Sequence, residues 1–113
     1  ESEAAAMLIL PNEKWARRVS GVVGNELANQ YPDRAHAILT ENKKLTELDE
    51  STNNEKTYQV SIRAPKNKLE GADEIAMKFG GGGRKGAAGI DLLTSTSLNK
   101  LWHTLAIQAK GLL

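Results

Sequence analysis

The chain predicts an α/β fold: a single β-α-β-β-α-β-α domain with a mixed sheet of about four strands covered by helices. Three observations carry that reading. Residues 57–64 alternate, with Tyr58, Val60 and Ile62 on one side and Gln59, Ser61 and Arg63 on the other, the period of a half-buried strand. Across residues 13–30 the apolar positions Trp15, Val19, Val22, Val23 and Leu27 recur near the helical period, with Tyr31 just beyond. Strand-like and helix-like segments then take turns along 113 residues, a length that supports one core and not two.

The elements follow in order. Ala5–Leu10 reads as a short buried strand closed by Pro11-Asn12, and Asn12 can cap the helix over residues 13–30. Gly21 and Gly24 interrupt that helix, and close packing against a neighbour would explain both. Pro32-Asp33 ends it, and residues 34–40 have the length and flanks of a second strand. The polar residues 41–56, with Asn53-Asn54, read as an elongated connection between two antiparallel strands. The alternating strand is followed by a turn at residues 65–68. Residues 71–79 are expected to form a helix with Ala72, Ile75, Ala76 and Phe79 on one face. Residues 87–93 are a short apolar strand, and Ser95 or Ser97 caps a last helix carrying Leu98, Leu101, Trp102, Leu105 and Ile107.

Composition excludes several classes. There is no cysteine, hence no disulfide framework and no cysteine zinc site, which fits a reducing, cytoplasmic setting. The apolar run at residues 4–10 is too short to span a bilayer and follows Glu1 and Glu3 rather than a basic segment, so neither a membrane span nor a signal peptide is expected. The chain starts without Met, as a fragment of a longer protein would. Net charge is +1, but residues 1–55 carry 6 Lys/Arg against 10 Asp/Glu, and residues 56–113 carry 9 against 4. The basic half favours an anionic ligand.

That half contains Phe79-Gly80-Gly81-Gly82-Gly83-Arg84-Lys85-Gly86-Ala87-Ala88-Gly89. Glycines cost about 1 kcal/mol each relative to alanine in regular structure, so four in a row imply positive φ or a close approach. Consecutive N–H groups on such a run can converge on an anion, and Arg84 and Lys85 add charge beside it. A phosphate cradle is the functional reading; a glycine hinge or helix stop is the bland one. Neither standard glycine motif applies. Gly81 to Gly86 is followed by Ala87-Ala88 rather than the Lys-Ser/Thr of a Walker loop. The match at Gly81, Gly83 and Gly86 to a dinucleotide fingerprint follows a helix, and no acid occurs after Asp91. Because the run sits at a helix C-terminus, where the macrodipole repels anions, a phosphate here relies on loop N–H groups and on arginine. Arg63, at the end of the alternating strand, can fold back beside Arg84, and each guanidinium offers a fork matching two phosphate oxygens. A surface salt bridge is the competing role for Arg63.

Ser61-Ile62-Arg63, the helix with Ile75-Ala76 and the glycine run ending in Ala87-Ala88-Gly89 together resemble the DHH-associated domain, the C-terminal domain of DHH-family phosphoesterases. The pattern matches well over residues 57–93 and is compatible from Trp15 onward. The resemblance implies that residues 1–113 are a substrate-binding domain of a two-domain hydrolase. Its N-terminal catalytic domain, on the same polypeptide, would hold two Mn²⁺ ions. The substrate-binding residues it implies are Arg63, Gly80, Gly81, Gly82, Gly83, Arg84 and Lys85, gripping a phosphate-bearing substrate such as an oligonucleotide, a nucleotide or single-stranded nucleic acid. Arg84 stands where the family pattern usually has His, which keeps anion binding and removes a proton-donating imidazole.

The Asp-His-His motif is absent. The histidines are His36, in a strand, and His103, on the last helix, and the aspartates at 33, 49, 73 and 91 have no ligand-like spacing. The chain alone is therefore expected to be catalytically inactive, with no metal of its own. Two further readings compete. One is a non-catalytic RNA-binding module similar to the C-terminal domain of alanyl-tRNA synthetases, in which a glycine run is also followed by Arg. The other is a packing domain, serving a homodimer, in which the glycines only let helix and strand approach.

Overall fold

The computed structural model describes residues 5–11, 13–42, 56–68 and 70–109. Among them the order is β1 (Ala5–Leu10), α1 (Lys14–Gln30), β2 (Ala35–Glu41), β3 (Thr57–Arg63), α2 (Ala72–Lys78), β4 (Gly82–Gly83), β5 (Ala87–Thr94) and α3 (Leu98–Ala109). The strands form one sheet in the order β1-β2-β3-β5-β4. β1 and β2 run parallel, joined by α1 as the crossover, and the remaining pairs are antiparallel. The architecture is the α/β domain the sequence predicts, with five strands in place of four. The additional strand is β4, formed by two glycines.

The alternation in β3 sets the two faces of the sheet. Tyr58, Val60 and Ile62 join Ala37 and Leu39 of β2 and Ala88, Ile90 and Leu93 of β5 in the main core. α2 closes that face with Ala72, Ile75 and Ala76, and α3 closes it with Leu101 and Leu105, both fully buried. Complete burial of a leucine stabilises by about 2 kcal/mol, so these two anchor α3. Phe79 and Trp102 pack at the margin of this core, whereas Ile107 remains 38% exposed.

The opposite face is covered unevenly. α1 lies over β2, where Ala16, Leu10 and Ile38 form a second, smaller core with Val23 and Leu27 against it. The large residues Trp15 and Val22, expected on the inner stripe, are instead exposed, and the buried positions are Ala16, Gly24 and Ala28. Small side chains let the helix backbone approach the sheet, so the stripe is set by size as well as by hydrophobicity. Tyr31 also remains exposed, beneath the Arg34 guanidinium at 4.4 Å.

Several boundaries have identifiable causes. Glu13 is the residue before α1, in extended conformation; the expected cap, Asn12, lies outside the described residues, as do residues 43–55 of the β2–β3 connection. The connected strands pair antiparallel as expected, with Thr40 opposite Gln59, and Asn42 N–H donates to the Thr57 carbonyl at 2.8 Å. After β3, Lys66 donates to Asn29 and Asn67 to Asp33, tying that turn to the end of α1. Ser95–Ser97 form a 3-10 turn leading into α3. No helix among the described residues is long and apolar enough to cross a membrane.

Candidate functional site

The glycine run is a hairpin locked onto β5. Beyond α2, Gly80 N–H donates to the Met77 carbonyl at 3.2 Å and Gly81 N–H to the Ala76 carbonyl at 2.8 Å, which ends the helix with Gly80 at φ +84°. Gly81 then passes so close to β5 that a Cβ there would stand 2.1 Å from the Gly89 carbonyl oxygen. Gly83, at φ +150°, would place its Cβ 2.6 Å from Ala88 Cα. Arg84 N–H closes the hairpin on the Ala87 carbonyl at 2.8 Å. The tip is fixed by Ala72 N–H donating to the Lys85 carbonyl and Ala64 N–H to the Gly86 carbonyl. Gly82 differs from its neighbours, because a Cβ there would meet nothing within 4 Å.

This geometry changes how the glycines can serve a ligand. The N–H groups of Gly80, Gly81 and Arg84 are engaged within the chain, and Gly82 sits opposite Gly89 in the β4–β5 ladder. The run is therefore better described as a bare floor than as a ring of convergent donors.

That floor belongs to a cleft of about 660 Å³ on the half of the sheet that α1 leaves uncovered. A volume of this size suits a nucleotide-sized ligand. Gln59, Ser61 and Arg63 of β3 line it, with Ile38 and Thr40 of β2 and Ser20 of α1 on one side, and Gly82, Gly83, Arg84, Ala87, Ala88 and Gly89 on the other. Of the seven residues expected from the sequence, Arg63, Gly82, Gly83 and Arg84 come together here, while Gly80, Gly81 and Lys85 do not line it. Lys85 is exposed at the hairpin tip.

Among the described residues Arg63 and Arg84 are the charged members of the cleft wall, and no carboxylate lines it. Among the described residues neither guanidinium is held in an ion pair. Two cations on one concavity whose described lining holds no counter-charge create a local field that an anion would neutralise. The register explains how they meet. Arg63 pairs with Ala87 and Ser61 with Gly89, so the end of β3 lies directly beside the hairpin that carries Arg84.

Arg63 also has a seat. A Cβ on Gly24 would lie 3.7 Å from Arg63 Nε and 3.8 Å from its Cγ, so the arginine stem rests against bare α1 backbone. By contrast a Cβ on Gly21 would meet nothing within 4 Å, and packing does not account for that glycine. Alanine at position 24 would make ordinary contact, but a longer side chain would displace the guanidinium. Gly24→Leu is expected to weaken binding of a phosphorylated ligand roughly tenfold, a loss typical of one charged hydrogen bond. Titration calorimetry of the variant beside Gly24→Ala, which should bind as the parent does, checks this.

The cleft wall also includes Ser20, Thr40, Gln59, Ser61 and Gly89, none of which the sequence singled out as a binding residue. The signal for two of them was present, since the alternation put Gln59 and Ser61 on the same side as Arg63. His36 is buried in β2, its ring 6.4 Å from that of Tyr31, and His103 is exposed on α3. No three His, Asp or Glu side chains among the described residues gather as a metal site requires.

No protein-family model matches the chain, and no curated protein matches it. Among solved structures it is similar to the pGpG-specific phosphodiesterase PggH from Vibrio cholerae, with a TM-score of 0.60 at 12% sequence identity. The alignment covers 98% of this chain and 34% of that one, so the chain spans about a third of the length of the protein it matches. At that identity the likeness is one of fold.

Proposed function

We propose that the chain is the substrate-binding domain of a DHH-family phosphoesterase, gripping the phosphates of a short oligonucleotide or nucleotide-like substrate. The observation that carries this reading is that Arg63 and Arg84 line one cleft over a glycine floor, with no carboxylate among its described lining residues. The sheet register supports it, because Ser61-Ile62-Arg63 and Ala87-Ala88-Gly89, far apart in sequence, are direct neighbours on β3 and β5. The shared fold with a phosphodiesterase supports it at a coarser level. Hydrolysis, and the Mn²⁺ ions it would use, belong to a catalytic domain elsewhere in the same polypeptide, in a cytoplasmic protein. The role of this domain is to bind and orient.

The guanidinium forks supply charge-assisted hydrogen bonds to phosphate oxygens, and the bare backbone at Gly82 and Gly89 lets a sugar or base lie close to the sheet. The test is an NMR titration of the ¹⁵N-labelled chain with a 5′-phosphorylated dinucleotide, alongside inorganic phosphate and tRNA. Saturable shifts at Ser61, Arg63, Gly82, Gly83, Arg84 and Gly89 with the dinucleotide are expected. Silence at those residues would remove the proposal, and a marked preference for tRNA would replace it with the RNA-binding reading.

A further inference from the structure

The cleft is not uniform along its length, and its asymmetry says more about the ligand than its charge does. Both arginines belong to one end, where Arg63 finishes β3 opposite Ala87 and Arg84 N–H donates to the same Ala87 carbonyl. In the middle, Ser61 stands between Ile38 and Gly89, its register partners on either side, giving a floor that is half apolar and half bare backbone. At the other end Gln59 pairs across strands with Thr40, and both line the cleft. Four residues along a strand separate Arg63 from Gln59, about 13 Å. That is the scale on which a nucleotide extends from its phosphate to the far edge of its base.

Chemistry distinguishes the two ends further. A guanidinium only donates, whereas the Gln59 amide and the Thr40 hydroxyl each donate and accept. Among the described residues no hydrogen bond engages either of these side chains. A polyphosphate offers acceptors alone and would need cations along the whole cleft. Among the described lining residues the cations stop at one end, and Asp91 follows Gly89 by two residues on β5, toward the other. A base edge presents donors and acceptors together, and glutamine amides match such edges in a bidentate way. The register of β3 against β5 also shifts between Tyr58 and Val60, where Asp91 and Leu92 of β5 together stand opposite Gln59, so the bulge lies on β5 beside this end of the cleft.

We infer that the cleft binds a nucleotide lengthwise, with its phosphate between Arg63 and Arg84 and its base at Gln59 and Thr40, making that pair the determinant of base preference. This rests on the phosphate-binding reading of the same cleft, and the test separates the two. The chain is titrated calorimetrically with adenosine 5′-monophosphate, guanosine 5′-monophosphate and ribose 5-phosphate. At least one nucleotide is expected to bind roughly tenfold more tightly than the sugar phosphate. Gln59→Ala and Thr40→Val should each collapse that ratio toward one, while Arg84→Ala weakens nucleotide and sugar phosphate together and preserves it. Gln59 is exposed, so Gln59→Ala is expected to fold normally, and its thermal melt verifies this. A ratio near one in the parent chain, or a ratio intact in both variants, overturns the base assignment and leaves the phosphate site standing. If none of the three ligands binds, the phosphate site fails and the base assignment falls with it.

Discussion

Arg63→Ala and Arg84→Ala should each weaken binding of a 5′-phosphorylated dinucleotide by roughly 10- to 100-fold, the range expected when a charged hydrogen-bond donor is removed from an anion site. The two should differ in their effect on the fold. Arg84 is exposed, so its removal leaves stability unchanged; Arg63 is half-buried against Gly24, and its loss removes some packing of the stem as well as the charge. Arg63→Lys retains the cation but not the planar fork, and should recover only part of the affinity. Calorimetry at several salt concentrations provides a second readout. If each guanidinium neutralises one phosphate, each alanine variant flattens the salt dependence by roughly 0.7 in log–log slope. Unchanged affinity and unchanged slope in both variants would show that the cleft is not where phosphate binds.

Long-period patterns made most of this architecture legible in the sequence. The alternation at Tyr58, Val60 and Ile62 fixed which face of β3 enters the core, and Ala72, Ile75 and Ala76 turned inward on α2 as their spacing requires. What escaped was governed by small residues. β4 consists of Gly82 and Gly83, which carry no side chains to alternate and have poor strand propensity, so the segment reads as a loop until β5 is seen beside it. On α1, Trp15 and Val22 dominate a hydrophobic count but point to solvent, because Ala16, Gly24 and Ala28 permit the closer contact with the sheet.

The lining of the candidate cleft was legible to a similar depth. Glycine and arginine types announce themselves, which is why Arg63, Gly82, Gly83 and Arg84 could be named. Thr40, Gln59 and Ser61 are unremarkable as residue types, and only strand register assembles them into one wall. The expected N–H cradle depended on backbone hydrogen bonding that no side-chain pattern encodes. Closure of the helix onto Gly80 and Gly81, and of the hairpin onto Arg84, engages those donors instead.

The glycine run itself offers the second large effect, because two adjacent residues should fail in opposite ways. Gly81→Ala should lower the unfolding free energy by about 3 kcal/mol or more, as severe overpacking does, since its Cβ would stand 2.1 Å from the Gly89 carbonyl oxygen. Backbone, not a flexible side chain, is in the way, so β4 must lift from β5 to make room. Gly82→Val meets no such obstacle: position 82 lacks positive φ, and a Cβ there finds nothing within 4 Å. A β-branched residue is compatible with a strand, so stability should stay within about 1 kcal/mol of the parent. Yet Gly82 lies opposite Gly89 on the cleft floor, and the valine would rise into the space a ligand needs. Dinucleotide affinity should fall roughly tenfold or more, while Gly81→Ala, where still folded, retains whatever site survives. Urea unfolding and calorimetry on both variants make the comparison. If Gly82→Val binds as the parent does, the bareness of that position serves neither ligand nor fold, and the floor of the cleft is not in contact with the substrate.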